Sequence, residues 1–329
     1  MGESNRLDLG RRKTPGRIFT MLTLPRPFQN DDDLALMQEI LVSGRQAQTA
    51  AYYIHSGDLR WWYYYVTPAN NPRPHTVLWE SSRLAGKLDG WAMVSPQWRT
   101  FDVYARPGLQ GSPEHEAMLA WAEGKITEIV RLQGENEICT MWVSERDLWL
   151  VAYLEGHGYA CSDRCMDCLE QPLGEHIPET RLPEGYVVRP VAGESEIEAR
   201  AWAQSAAFES SLPFERYLKR YRSFMRSPAY TPGLDLAVFA PGGSVAAFCI
   251  CWVDPQNRVG LFEPVGTHPD FQRQGLGKAV IAEGLRRLKA SGMTSAMVCV
   301  ENDNLAAIRL YSSAGFLKKN KILTFAKQV

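Results

Sequence analysis

Residues 265–278, VGTHPDFQRQGLGK, constrain this chain more than any other stretch: a strand that runs into a helix through a turn with two glycines. Residues 261–267 are apolar and β-branched, as in a buried strand. From Lys278 onward, Val280, Ile281, Gly284, Leu285 and Leu288 recur at the helical period. Between them, Gln272, Arg273, Gln274, Gly275, Leu276 and Gly277 fall at the helix N-terminus. Unpaired backbone N–H groups and the positive end of the helix dipole favour an anion there. The two glycines would let a ligand approach the backbone closely.

Two nucleotide-binding readings of the turn fail. Gln272 stands where a Walker A loop has its first glycine, and Ala279 where it has Ser or Thr. Val280 stands where the dinucleotide fingerprint has its third small residue. The hexapeptide Gln272–Gly277 instead resembles the acyl-CoA signature of the GNAT superfamily of N-acyltransferases, Gln/Arg-x-x-Gly-x-Gly/Ala. Two further matches accompany it: Val265-x-x-x-Pro269 before the turn, and Asn304-x-x-Ala307-x-x-Leu310-Tyr311-x-x-x-Gly315-Phe316 after it.

The resemblance implies acetyl-CoA as acyl donor and direct N-acetylation of a small-molecule amine in a ternary complex. It implies cofactor contacts at Val265, Gly266 and Thr267, at Gln272, Arg273, Gln274, Gly275, Leu276, Gly277 and Lys278, and at Asn304. Glu263 matches a position used as general base, and Tyr311 the position that protonates the departing sulfur. From the residues alone, Glu263 could equally lie at an exposed edge or pair with an arginine, Tyr311 could be packing, and Asn304 is also a good helix N-cap. Glu209 and Tyr230 are candidate acceptor contacts. His268, where the chain leaves the strand, is expected to be exposed. An acyl-CoA sensor without turnover and an acyltransferase for a peptide amine are the alternatives.

Composition narrows the partners. A formal net charge of −1 over 329 residues, with no basic run, gives no field for nucleic acid. No apolar run reaches the roughly eighteen residues of a membrane span, and residues 1–13 lack the apolar core of a signal peptide. Seven cysteines, an odd number, suit a reduced compartment, so a cytoplasmic protein is expected. His157, Cys161, Cys165 and Cys168 have no common zinc spacing, and no metal site is expected.

The chain repeats itself. Three strands (76–80, 88–94, 100–105), a helix (114–132), a strand (138–143), a helix (148–155) and Gly158-Tyr159 form one series. Strands 236–239, 245–253 and 259–267, the helix from 278, strand 296–300, the helix from 305 and Gly315-Phe316 form another. Pro107 and Pro269 are 162 residues apart, as are Val103 and Val265; Gly158 and Gly315 are 157 apart. The expected fold is α/β, two tandem GNAT-like domains, each a mixed, mostly antiparallel sheet flanked by helices. Residues 18–170 form a degenerate first domain, 171–185 a Pro- and Gly-rich linker and 186–329 the catalytic domain, with residues 1–17 disordered.

A short strand at 19–24, a helix at 34–42 behind Asp31-Asp32-Asp33 and a half-buried strand at the aromatic run 60–66 are expected in the first copy. In the second, helices are expected at 194–208 and 213–225. At the turn, Pro113 and His115 replace Gly275 and Gly277, so the first copy is expected to have lost the cofactor.

Overall fold

A computed structural model describes residues 24–47, 53–174, 177 and 179–329. The expectations for residues 1–17 and 19–23 lie outside the described residues. The first half runs β1 (Arg26–Pro27), α1 (Asp31–Ala47), α2 (Ser56–Tyr64), β2 (Thr76–Glu80), β3 (Leu88–Ser95), β4 (Thr100–Ala105), α3 (Pro113–Leu132), β5 (Glu137–Ser144), α4 (Leu148–Gly156) and β6 (Ala160–Pro172). The second half repeats the order. It comprises β7 (Val187–Pro190), α5 (Ile197–Ala207), α6 (Phe214–Met225), β8 (Asp235–Phe239), β9 (Val245–Asp254), β10 (Val259–Thr267), α7 (Leu276–Ala290), β11 (Ser295–Glu301), α8 (Leu305–Ser313) and β12 (Leu317–Gln328).

All twelve strands join one sheet, ordered β1-β2-β3-β4-β5-β12-β6-β11-β10-β9-β8-β7. Its pairs are antiparallel except β4 with β5 and β10 with β11. The two halves exchange their last strands. β6 crosses to pair with β11 over Ser295–Glu301, while β12 pairs with β5 on one side and β6 on the other. Neither half therefore completes its sheet from its own residues. The last strand of the second half, rich in lysine at Lys318, Lys319 and Lys321, carries no strand signal that the pattern of the chain exposes.

The aromatic run corrects the expectation of a strand: residues 56–64 form α2. His55 caps it, accepting from the Gly57 amide at 2.9 Å, and Asp58 returns the contact by accepting from the His55 amide at 2.8 Å. Trp61 and Tyr65, four residues apart, stack with ring centroids at 4.0 Å. Trp61 and Tyr65 pack into a cluster with Phe224 and Trp252 of the second half, whereas Leu59 and Tyr63 join Met37 and Trp91 of the first. A helix covered on two faces has no single apolar stripe, so its sequence reads like a strand.

This wedge binds the halves together. The imidazole of His55 accepts at Nδ1, so Nε2–H donates to the Val259 carbonyl of β10 at 3.1 Å. Burial pushes that ring down to about 3, which keeps it neutral. A Cβ on Gly57 would fall 2.5 Å from Cβ of Trp252, so only glycine lets α2 approach β9 this closely. On the second half, the fully buried Arg200 of α5 donates to Asp235 at 3.0 Å and to Gln204 at 2.9 Å, and Tyr221 of α6 also donates to Asp235. That network fastens α5 and α6 to β8.

Cleavage at a protease site engineered between Pro183 and Glu184 tests the exchange. The two fragments are expected to co-elute in size-exclusion chromatography and separate only in denaturant; fragments that part under native conditions contradict it.

Candidate active site

The parallel ladder between β10 and β11 is short. It joins Val259, Gly260 and Leu261 to Ser295, Ala296 and Met297 and then stops. Beyond it, Val265, Gly266 and Thr267 pair only with Cys249, Phe248 and Ala247 of β9. The register breaks between Phe262 and Val265, so Glu263 and Pro264 form a bulge, a device that re-aims side chains. Trp252 pins the bulge by donating from Nε1 to the Glu263 carbonyl at 2.6 Å. The His268 amide bonds back to Ala246 of β9 at 2.9 Å. By alternation, the amides of Val265 and Thr267 face the opposite way, into the gap towards β11.

The helix α7 begins beside this gap. Its cap, Gly275, holds φ +80°, and Arg273 just before it φ +66°. A Cβ on Gly275 would meet nothing within 4 Å, so glycine serves the left-handed backbone there. Gly277 has another reason: a Cβ would lie 3.1 Å from Thr267 Oγ1 and 3.2 Å from Leu310, where α7 meets β10 and α8. Gln272, Arg273, Gln274 and Gly275 are exposed, Lys278 is half-buried, and Leu276 and Gly277 are buried. The first turn of α7 thus presents open amides of the kind that hold a diphosphate.

The corresponding place in the first half is filled. The Gly111 amide donates to His115 Nδ1 at 3.2 Å, and the His115 ring stacks on Trp149 at 4.9 Å. A Cβ on Gly111 would already be 3.3 Å from Trp149. Burial lowers His115 to about 4, leaving a neutral ring in the space.

Glu263 sits deep in the gap with only part of its surface open, and its side chain has no arginine partner or hydrogen bond among the described residues. Burial pushes its carboxyl up to about 8, and the neighbouring Asp58 adds to the rise. Tyr311 is buried on α8 against Phe316, with ring centroids 5.8 Å apart. Its phenol is raised far above the ordinary value, first by burial and then by the charge of Glu263. The two side chains are therefore close enough for the charge of one to act on the other. Asn304 caps α8, accepting from the Ala307 amide at 3.1 Å.

Asp58 is the residue that sequence reasoning missed. It lies on α2 of the first half, burial pushes its carboxyl up to about 7, and it acts on both Glu263 and Cys299 across the halves. Only the capping spacing His55-x-x-Asp58 could have marked it. Of the other candidates, Tyr230 donates to Asp235 at 3.1 Å and so belongs to the α5–α6 network. Glu209 is exposed at φ +47°. His268 is mostly covered rather than exposed, because its Nδ1 accepts from the Asp270 amide and its ring lies against Phe271. No group of three or more potential metal-ligating side chains is found among the described residues.

Comparison with known proteins places this geometry. The profile of the Acetyltransferase (GNAT) family matches residues 198–316, which include the gap, the turn and Tyr311. Residues 198–316 are therefore similar to the GNAT family. A mycothiol acetyltransferase of Streptomyces bingchenggensis is 37% identical over 161 residues, covering 45% of this chain and 49% of that protein. The aligned stretch thus spans about half the length of that relative. A mycothiol acetyltransferase of Frankia casuarinae is 28% identical over 270 residues, covering 76% of this chain and 75% of that one. Among solved structures, a tandem GNAT protein from the clavulanic acid biosynthesis pathway has TM-score 0.66 at 14% identity, covering 93% of this chain and 97% of the other. That likeness shows the fold, a tandem GNAT.

A buried, unpaired carboxyl makes a thermodynamic prediction. With its folded value raised above that of the unfolded chain, Glu263 contributes nothing when both states are protonated in acid; it destabilises progressively as pH rises from about 4.5 to about 8, and the full penalty is present above that. Glu263→Gln should therefore raise Tm at pH 9 by about 2 °C or more and change it little at pH 5, as read by calorimetry.

Proposed function

We propose that this protein N-acetylates a small-molecule amine with acetyl-CoA as donor. The observation that carries the reading is the gap where β10 leaves β11, with the buried Glu263 at its bulge and near enough to Tyr311 to act on it by charge. The residues present fit the donor. The Gln272–Gly277 turn and Lys278 suit its diphosphate, and the amides of Val265 and Thr267, with Gly266 between them, suit its amide chain and acyl oxygen. Asn304 closes the site from α8. Bound there, acetyl-CoA would supply an acetyl group activated as a thioester.

The protein's own groups do the rest. Where they ionise, above about pH 8, Asp58 and Glu263 together attract an ammonium into the cleft. Glu263 then takes a proton from the acceptor nitrogen, and a carboxyl near 8 is basic enough to do so close to neutral pH. The amides of Val265 and Thr267 polarise the carbonyl oxygen under attack. Loss of the proton to Glu263 leaves the neutral amine; as the new C–N bond forms and the C–S bond breaks, Tyr311 gives its phenolic proton to the sulfur and regains one from the nitrogen, which loses its second proton to become the amide. We also place the division of the chain at residues 171–185, with the 18–170 unit supplying Asp58 and no donor site, and the 186–329 unit supplying the chemistry. No helix among the described residues is long and apolar enough to cross a membrane, and no disulfide forms among them, which supports a reducing, cytoplasmic setting.

Steady-state kinetics across an amine library test the reading. Glu263→Gln should lower kcat by about 10²–10⁴-fold and Tyr311→Phe by at least about tenfold, with little change in KM for acetyl-CoA. For the native protein, kcat/KM should rise with pH to a plateau above about 8. Asp58→Asn should move that rise to lower pH, because a like charge that holds the Glu263 carboxyl protonated is gone. Binding of acetyl-CoA without turnover of any amine, or full activity in Glu263→Gln, would overturn the proposal.

A further inference from the structure

A hollow with a volume of about 480 Å³ opens on the α5–α6 face of the sheet, just beyond the C-terminal end of β10. That is the size of a small-molecule site. Glu198 and Trp202 of α5, Phe214 of α6, and His268, Asp270 and Phe271 beyond β10 line it. None of these belongs to the cleft around Glu263.

Three features of the lining agree on one ligand chemistry. First, Trp202 is 55% exposed, although it packs edge-to-face on Phe214 at 5.1 Å and 80°. An indole held by a second ring but left open to solvent is the best of the side-chain surfaces for a cation. Second, both charged groups of ordinary carboxylate type, Glu198 and Asp270, have the same sign, and no lysine or arginine lines the hollow. Glu198 has no hydrogen bond or ion pair among the described residues, and the Asp270 carboxylate, 82% exposed, has only the His268 ring nearby, at 3.8 Å. Third, Nδ1 of that ring is occupied in accepting from the Asp270 amide, so His268 serves as a wall. A surface of aromatic faces and unneutralised carboxylates repels anions and gives a neutral apolar ligand nothing for its acids to do.

We propose that this pocket binds an organic ammonium ion, its alkyl groups against Trp202 and Phe214 and its charge shared by Glu198 and Asp270. The site does not depend on acyl transfer, because it uses none of the residues assigned to that reaction.

The test is calorimetric titration of the full chain with choline chloride and with its neutral isostere, 3,3-dimethylbutan-1-ol, at constant ionic strength. Choline should bind saturably, and the isostere at least about tenfold more weakly. Trp202→Ala, an exposed position checked for native melting, should weaken choline at least about fivefold, and Glu198→Gln should weaken it in the same direction. Equal binding of choline and the isostere, no binding of choline up to about 50 mM, or choline binding unchanged in both variants would overturn the proposal. The last outcome would put the cation in the Asp58–Glu263 cleft instead.

Discussion

β11 is held along its whole length by β6, a strand that the other half of the chain provides. Everything at the candidate active site depends on that pairing. Because β11 keeps a complete antiparallel ladder on its far side, β10 can leave it after three residues without exposing a frayed edge through the middle of the sheet. The gap that results leaves Val265, Gly266 and Thr267 paired with β9 alone. Had each half closed its own sheet, β12 would hold β11, and no exchanged ladder would fasten the first half against the second.

The second consequence of the exchange is electrostatic. It brings α2 across the face of β9 and β10, where His55 bonds to Val259 and Gly57 sits against Trp252. Asp58 is thereby carried to Glu263, and two carboxyls share a space from which most water is removed. Burial raises both carboxyls, and the charge of Asp58 raises Glu263 further. The first half, whose own turn is filled by His115 and Trp149, thus places Asp58 beside Glu263 of the second half.

The legibility of the sequence follows from how local each feature is. The turn at Gly275, the strand before it, the helix of Tyr311 and most of the duplicated series are set by short-range periodicity and backbone demands, and they stand in the structure where the residues place them. Glu263 was visible as a charge in an apolar strand. The aromatic run at 60–66 misled because α2 is buried on two faces, which erases the stripe that marks a helix. Strand exchange was invisible, since β6 and β12 would read the same whichever half they joined. Asp58 was hidden for that reason: its partner is two hundred residues away along the chain and adjacent only through the exchange. His268 looked exposed because nothing in the sequence shows that Asp270 and Phe271 fold back over it.

The stoichiometry of acetyl-CoA binding tests the central claim most directly. Calorimetric titration of the full chain should show one site per chain, lost when Gly275→Pro and Gly277→His write the first half's residues into the second. Two sites, with one surviving the substitutions, or no binding at all would contradict the account.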